Sequence, residues 1–165
     1  YEPQMTQISE WLKQLFGESE GKSHKGIFPT SAVYTTDLHS LGQFVQDGSR
    51  NISETIIRFT SSRTNDIIVP KTKDNYDKLD YVEKQSLAFI NSQAATATIN
   101  AHRAGGIPVH EIIAPELCEH TMGALMYFFE YACAVSAKLL GVNPFDQPGV
   151  EAYKNEMFRL LGRPE

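Results

Sequence analysis

The sequence predicts an α/β fold: a mostly parallel sheet wrapped by helices. Two observations carry this. Stretches with strand character, Glu54–Phe59, Asp66–Pro70 and Ile107–Pro115, are interleaved with long helical stretches, Leu79–Ala104 and His120–Leu140, and that alternation is the mark of helices packed on a sheet. The chain also has 165 residues, 41% hydrophobic and 21% charged, which is enough for one domain, 1–165, with a real core. No internal repeat or low-complexity tract interrupts it.

Each element has its own warrant. From Pro3 to Phe16, Met5, Ile8, Trp11, Leu12, Leu15 and Phe16 recur at three- and four-residue spacings and mark one face of a helix. Pro3 suits its first turn and Gly17 its exit, so Gly17–Lys22 reads as a polar loop. Ser23–Thr36 is loop-like around Gly26 and Pro29, with a short strand at Ala32–Tyr34. Thr36 or Asp37 can cap a short helix that buries Leu38, Leu41, Phe44 and Val45 and ends at Gly48. β-branched residues dominate Glu54–Phe59 and Asp66–Pro70. Leu79–Ala104 is a long helix with Val82, Leu87, Phe89, Ile90, Ala94 and Ala97 at helical spacing, stopped by Gly105-Gly106. Ile107–Pro115 alternates as a strand, and His120–Leu140 is a second long helix closed by Gly141. From about residue 142 to 165 the chain forms a C-terminal tail, with Met157, Leu160 and Leu161 inward.

Composition excludes several functions. A net charge of −5, with no basic stripe, argues against nucleic acid, so a phosphorylated substrate needs a local positive site. No apolar run reaches the roughly 20 residues of a membrane span. Cys118 and Cys133 lack CxxC spacing and sit in apolar surroundings, as reduced core thiols of a cytoplasmic protein do. His102, His110, Glu111, Glu119 and His120 match no metal-ligand spacing, and neighbours on a strand point to opposite faces. No metal is expected. The chain begins Tyr1-Glu2-Pro3 and reads as a piece of a longer one.

The most specific stretch is Phe145-Asp146-Gln147-Pro148-Gly149-Val150-Glu151-Ala152-Tyr153-Lys154. Its Pro-Gly pair fixes one backbone angle and frees the next, aiming Gln147 and Lys154 on either side. Taken alone it is a turn entering a helix with a solvated lysine. The pattern Phe-Asp-Gln-x-Gly-Val-Glu-x-x-Lys, however, resembles the C-terminal signature of the phosphoglucose isomerase family. Two upstream stretches agree with it in order. In Gln-Leu-Phe-Gly-Glu-Ser-Glu-Gly-Lys, Gln14 and Glu18 are four residues apart, about one helical turn, so both can face one cleft. The second stretch carries His39, followed by a helix core and Gln43. Asp37-Leu38-His39 looks more like the shorter bacterial branch. Without the resemblance, Glu18 and Glu20 read as solvated loop carboxylates and His39 as a surface histidine.

The resemblance implies a sugar-isomerase domain, a three-layer α/β/α sandwich, here the second such domain of a two-domain chain with its helical tail. It implies interconversion of glucose 6-phosphate and fructose 6-phosphate. Glu18, His39 and Lys154 would be catalytic, and Gln14 and Gln147 would bind substrate. The chemistry suits these types. Ring opening needs one group to protonate the ring oxygen and one to take the hydroxyl proton. A histidine, kept neutral more easily in the first turn of a helix, and a lysine make such a pair. Moving a proton between C1 and C2 through an enediol needs a carboxylate that can take it and return it, the role of Glu18. The amides orient hydroxyl or phosphate oxygens. The scheme requires no metal or organic cofactor. In the family, the phosphate-binding Ser/Thr loop and an arginine that stabilises the enediolate lie in the N-terminal half, and the histidine acts across a homodimer interface. The fragment alone is therefore expected to be inactive. A non-catalytic sugar-phosphate sensor is the alternative, since it would keep the fold and dispense with Glu18. A purely structural interaction domain, which would bind no sugar phosphate, is a weaker one.

Overall fold

The computed structural model describes residues 1–61 and 66–163. The chain forms two compact units: Tyr1–Gln4 with Ala32–Met122, and Met5–Ser31 with the chain from Gly123 onward.

The first unit is built on a β-α-β crossover. Strand β1 (Glu54–Ser61) and strand β2 (Val109–Glu116) pair in parallel, with Ile57 opposite Ile112 and Phe59 opposite Ala114. Parallel neighbours need a crossover, and helix α4 (Leu87–Ala104) lies between them in sequence. Its buried face is Ala95, Thr98, Ile99 and His102, an i, i+3, i+4, i+7 stripe. The expected face of Phe89, Ile90, Ala94 and Ala97 is displaced because Thr98 and His102 are buried with partners. The Thr98 hydroxyl meets the Tyr1 hydroxyl, and His102 Nδ1 lies 2.6 Å from Glu54 Oε2. Arg58 ties sheet to helix, donating to Glu111 at 3.2 Å and to the hydroxyls of Ser92 and Thr96 at 3.1 Å each.

Other elements of this unit depart from expectation. Leu79–Ala104 is not one helix: a 3-10 turn at Asp80–Val82 precedes an extended Ser86, whose hydroxyl accepts from Phe89 N at 3.1 Å and starts α4. Asp66–Pro70 contributes only a bridge between Ile68 and Ser86. Among the described residues the sheet has two strands. Ala32–Tyr34 is not a strand, because Tyr34 opens helix α2 (Tyr34–Asp37). The Asp37 carboxylate folds back to accept from Val33 N at 2.8 Å and fixes that start. A π-helical turn at Leu38–Gly42 and helix α3 (Gln43–Asp47) follow. Of the four apolar residues expected inward here, only Val45 is buried.

The second unit packs helices. Helix α1 (Thr6–Glu20) runs past Gly17, which does not end it. Glycine costs a helix interior only about 1 kcal/mol, and the exit falls at Gly21. A Cβ there would lie 2.7 Å from Gly17 O, which is why the exit needs glycine. Helix α5 (Glu119–Leu140) enters this unit after its first turn. Leu125, Phe129, Cys133 and Ala137 form its buried stripe, at every fourth residue. Its 22 residues are long and apolar enough, by length and composition, to cross a membrane, which corrects the expectation that no stretch reaches that length. Burial is confined to one side of it, Glu130 stands in its middle, and Tyr127, Phe128, Tyr131 and Leu139 are exposed. Cys118 and Cys133 are free thiols. Burial raises the Cys133 pKa above its ordinary value. Helix α6 (Pro148–Leu160) has Pro148 in its first turn. Met157 and Leu160 are exposed rather than inward, as is Leu161 just beyond the helix.

Candidate active site

Gln14, Glu18, Gln147 and Lys154 belong to the second unit, and His39 to the first. Because α1 continues to Glu20, Glu18 stands on the last turn of a helix rather than in a loop. Gln14 is one turn before it, and the side chains meet: Gln14 Nε2 donates to Glu18 Oε1 at 3.0 Å. Gln147 approaches from the other end of the sequence and donates its Nε2 to Glu18 Oε2 at 2.7 Å. Both carboxylate oxygens are thus held by neutral amides, 129 residues apart in the second case. All three side chains are exposed. A carboxylate fixed in orientation by neutral donors and open to solvent can exchange a proton with a ligand.

Gln147 is the N-cap residue of α6, so the same turn that aims it sets the direction of the helix bearing Lys154. The Lys154 ammonium is exposed and makes its contact with Glu151 Oε1 at 3.1 Å, one turn back on α6, rather than with Glu18. His39 lies on the π-helical turn Leu38–Gly42 and is exposed. The positive end of a regular helix dipole is therefore not its setting.

Two features escape the sequence reading. Glu20 is no solvated carboxylate: it is 3% exposed, and its Oε1 has no hydrogen-bond partner among the described residues. Lys22, in the run read as a loop, has a side chain only 8% exposed. Its ammonium lies 3.2 Å from Asp146 Oδ1 and donates to the Asn143 carbonyl. No local pattern signals a pairing across 124 positions, the separation of Lys22 from Asp146. The one available hint is Asp146 standing beside Gln147 in the signature.

The Phosphoglucose isomerase family model matches residues 1–161. The chain belongs to the phosphoglucose isomerase family. It is 52% identical over 164 residues to a glucose-6-phosphate isomerase of Acetivibrio thermocellus, covering 99% of this chain and 36% of that protein. One from Leptospira biflexa is 53% identical over 163 residues, with the same coverage. Among solved structures, a hypothetical protein from Thermus thermophilus superposes with a TM-score of 0.86 at 26% identity, over 98% of this chain and 40% of the other. A glucose-6-phosphate isomerase from Chlamydia trachomatis superposes with a TM-score of 0.80 at 20% identity, over 98% and 33%. The phosphoglucose isomerase fold of this chain is thus an α/β fold with a parallel sheet. The chain spans just over a third of the length of these curated relatives.

Proposed function

We propose that this chain is the C-terminal part of an aldose–ketose isomerase that interconverts glucose 6-phosphate and fructose 6-phosphate, in glycolysis and gluconeogenesis. The observation that carries the reading is the Glu18 carboxylate held on both oxygens by Gln14 and Gln147, at the positions where the family resemblance puts base and orienting amides.

The steps balance without an external oxidant. His39 and Lys154 open the ring: one takes the proton of the anomeric hydroxyl and the other protonates the ring oxygen as its bond to C1 breaks. Glu18 then removes the proton from C2, and the C–H electron pair forms the C1=C2 bond of an enediolate while O1 takes the charge. Returning that proton from Glu18 to C1, as the O2 proton passes to O1 and the C2=O bond forms, gives the ketose and leaves Glu18 a carboxylate again. Gln14 and Gln147 keep the carboxylate turned toward the two carbons, which lowers the entropic part of the barrier. A preset, partner-bound carboxylate has no need to reorganise between the two transfers.

The groups that bind phosphate and stabilise the enediolate come from the N-terminal half, a second sugar-isomerase domain of the same chain. The full-length protein is a cytoplasmic homodimer, and His39 acts across its interface. A coupled assay, fructose 6-phosphate in and glucose 6-phosphate out, tests this on the segment with and without its separately expressed upstream half. Silence from the segment and activity on recombination is the expected result. Turnover by the segment alone overturns the division of groups. In the full-length protein, Glu18→Gln abolishes turnover while a substrate analogue still binds. A variant that loses little of either would make the protein a sugar-phosphate sensor.

A further inference from the structure

Lys22 stands outside the signature residues, yet its surroundings tie it to them. Gly21 closes α1, and Gly26 turns the chain back with a φ of +88°. A Cβ at Gly26 would lie 2.8 Å from the carbonyl oxygen of Glu20, so the loop is folded tightly over the end of α1. It presents two ammonium groups to the segment that follows α5. Lys25 Nζ donates to Leu140 O at 2.8 Å, on the exposed carbonyl end of α5. Lys22 Nζ reaches deeper, to the Asn143 carbonyl and to Asp146. Asp146 is in turn held by Asn143 Nδ2 at 3.0 Å, and Asn143 Oδ1 accepts from Phe145 N at 3.1 Å. The turn 143–146 is therefore a closed set of hydrogen bonds around one nearly buried ammonium. The next residue is Gln147.

We propose that Lys22 is a positioning residue for the isomerisation. Through Asp146 it fixes the turn that delivers Gln147 to Glu18 and starts α6, and so it sets both the orientation of the Glu18 carboxylate and the origin of the helix carrying Lys154. This deepens the isomerase reading and rests on it for its catalytic part. The physical warrant is the asymmetry of the pair. Lys22 is 8% exposed and Asp146 52%, so the ammonium has little water to replace a lost carboxylate. The side chain is committed to one geometry, whereas a solvated lysine would sample many. A misplacement of about 1 Å at a reacting group can cost roughly 100-fold in rate, so a residue that holds Gln147 has leverage on turnover without touching substrate.

The test is a double-mutant cycle in the full-length protein. Lys22→Met should lower kcat/KM about tenfold or more, mainly in kcat, and Lys22→Arg should restore much of it. In a Gln147→Ala background, Lys22→Met should cause a smaller loss than in the wild type, because one of the two groups it positions is gone. Amide hydrogen exchange supplies a readout that needs no activity: residues 147–154 should exchange faster in Lys22→Met than in the wild type. Losses that multiply in the double variant, or an unchanged kcat/KM with unchanged exchange at 147–154, would overturn the proposal. If the wild type shows no isomerase activity while exchange at 147–154 rises in Lys22→Met, the isomerase reading fails and the holding of the turn by Lys22 stands.

Discussion

Glu54 in the first unit and Glu18 in the second are each held on both oxygens by two side chains, in opposite surroundings. In the first unit Glu54 accepts from the Tyr34 hydroxyl on one oxygen and meets His102 Nδ1 at 2.6 Å on the other. Tyr34 is buried, His102 is 2% exposed, and the Tyr34 and His102 rings meet edge to face at 5.6 Å. In the second unit Glu18 accepts from Gln14 and Gln147, and all three are exposed. Glu54 has titratable partners and little access to water, so its hydrogen bonds close on themselves and fasten strand β1 to α2 and α4. Glu18 has neutral partners and open solvent, so it is oriented but not used up. A hydrogen-bonded carboxylate is a structural device or a chemical one according to what remains of its surface.

The largest effect that distinguishes the two is expected at Glu18. Glu18→Gln in the full-length protein should reduce kcat by about 1,000-fold or more, within the range removed by loss of a general base, while analogue binding and the urea midpoint hold. Equal losses of binding and stability would erase the contrast with Glu54. Glu54→Leu should do the reverse. It leaves the Tyr34 hydroxyl and the His102 ring without their partner, which should cost about 2–4 kcal/mol in a urea titration. A cost below about 0.5 kcal/mol would mean that the buried set contributes nothing a leucine cannot supply.

Gln147→Ala should lower kcat/KM about tenfold, the scale of one charge-assisted hydrogen bond. Gln14→Ala should cost less, because its partner lies on its own helix, where the backbone has already fixed Glu18. Near-equal losses would show that the long-range amide has no special part. Gly26→Ala strains a left-handed position and presses a Cβ on the Glu20 carbonyl. It should destabilise by about 1–2 kcal/mol in the same titration and, by shifting Lys22, lower kcat as well.

The smallest effect is in alkaline stability. Burial, and the hydrogen bond to Glu54, raise the Tyr34 pKa far above its ordinary value of 10.0. Above about pH 10 the unfolded chain loses this proton while the folded one keeps it. The unfolded state then binds fewer protons, and stability falls as pH rises. The contribution is fully present below the unfolded value. Tyr34→Phe should flatten this alkaline decline, as read from urea midpoints between about pH 9 and 11. An unchanged slope would assign the decline to other groups.

Most elements were legible in the sequence because their signals are local. The β1 and β2 strands, the long helices and the final helix follow from side-chain period and glycine stops within about 20 residues. Boundaries failed where a local signal was outweighed. Gly17 reads as a helix exit, but a glycine's helix penalty is small beside the packing of α1, and the stop at Gly21 decides where Glu18 stands. Tyr34, in a stretch with strand character, starts a helix because the Asp37 carboxylate and Glu54 hold it there. Val82 and Leu87 carry helical spacing, yet the Ser86 cap separates them.

The sequence by itself determined the residue types at the site and the family, since a signature of chemically unlike residues at fixed spacing survives without any coordinates. It determined that Gln14 and Glu18 share a helix face, because one turn is a local distance. Only the tertiary structure decided that Gln147 completes the hold on Glu18, and that the Lys22 and Glu20 side chains are buried. Those facts depend on pairings between residues far apart in the chain, or on which face of a helix loses its water. Neither is written in the spacing of neighbours, because a side chain's charge and shape set what it can bond to, while its burial is set by every element packed around it.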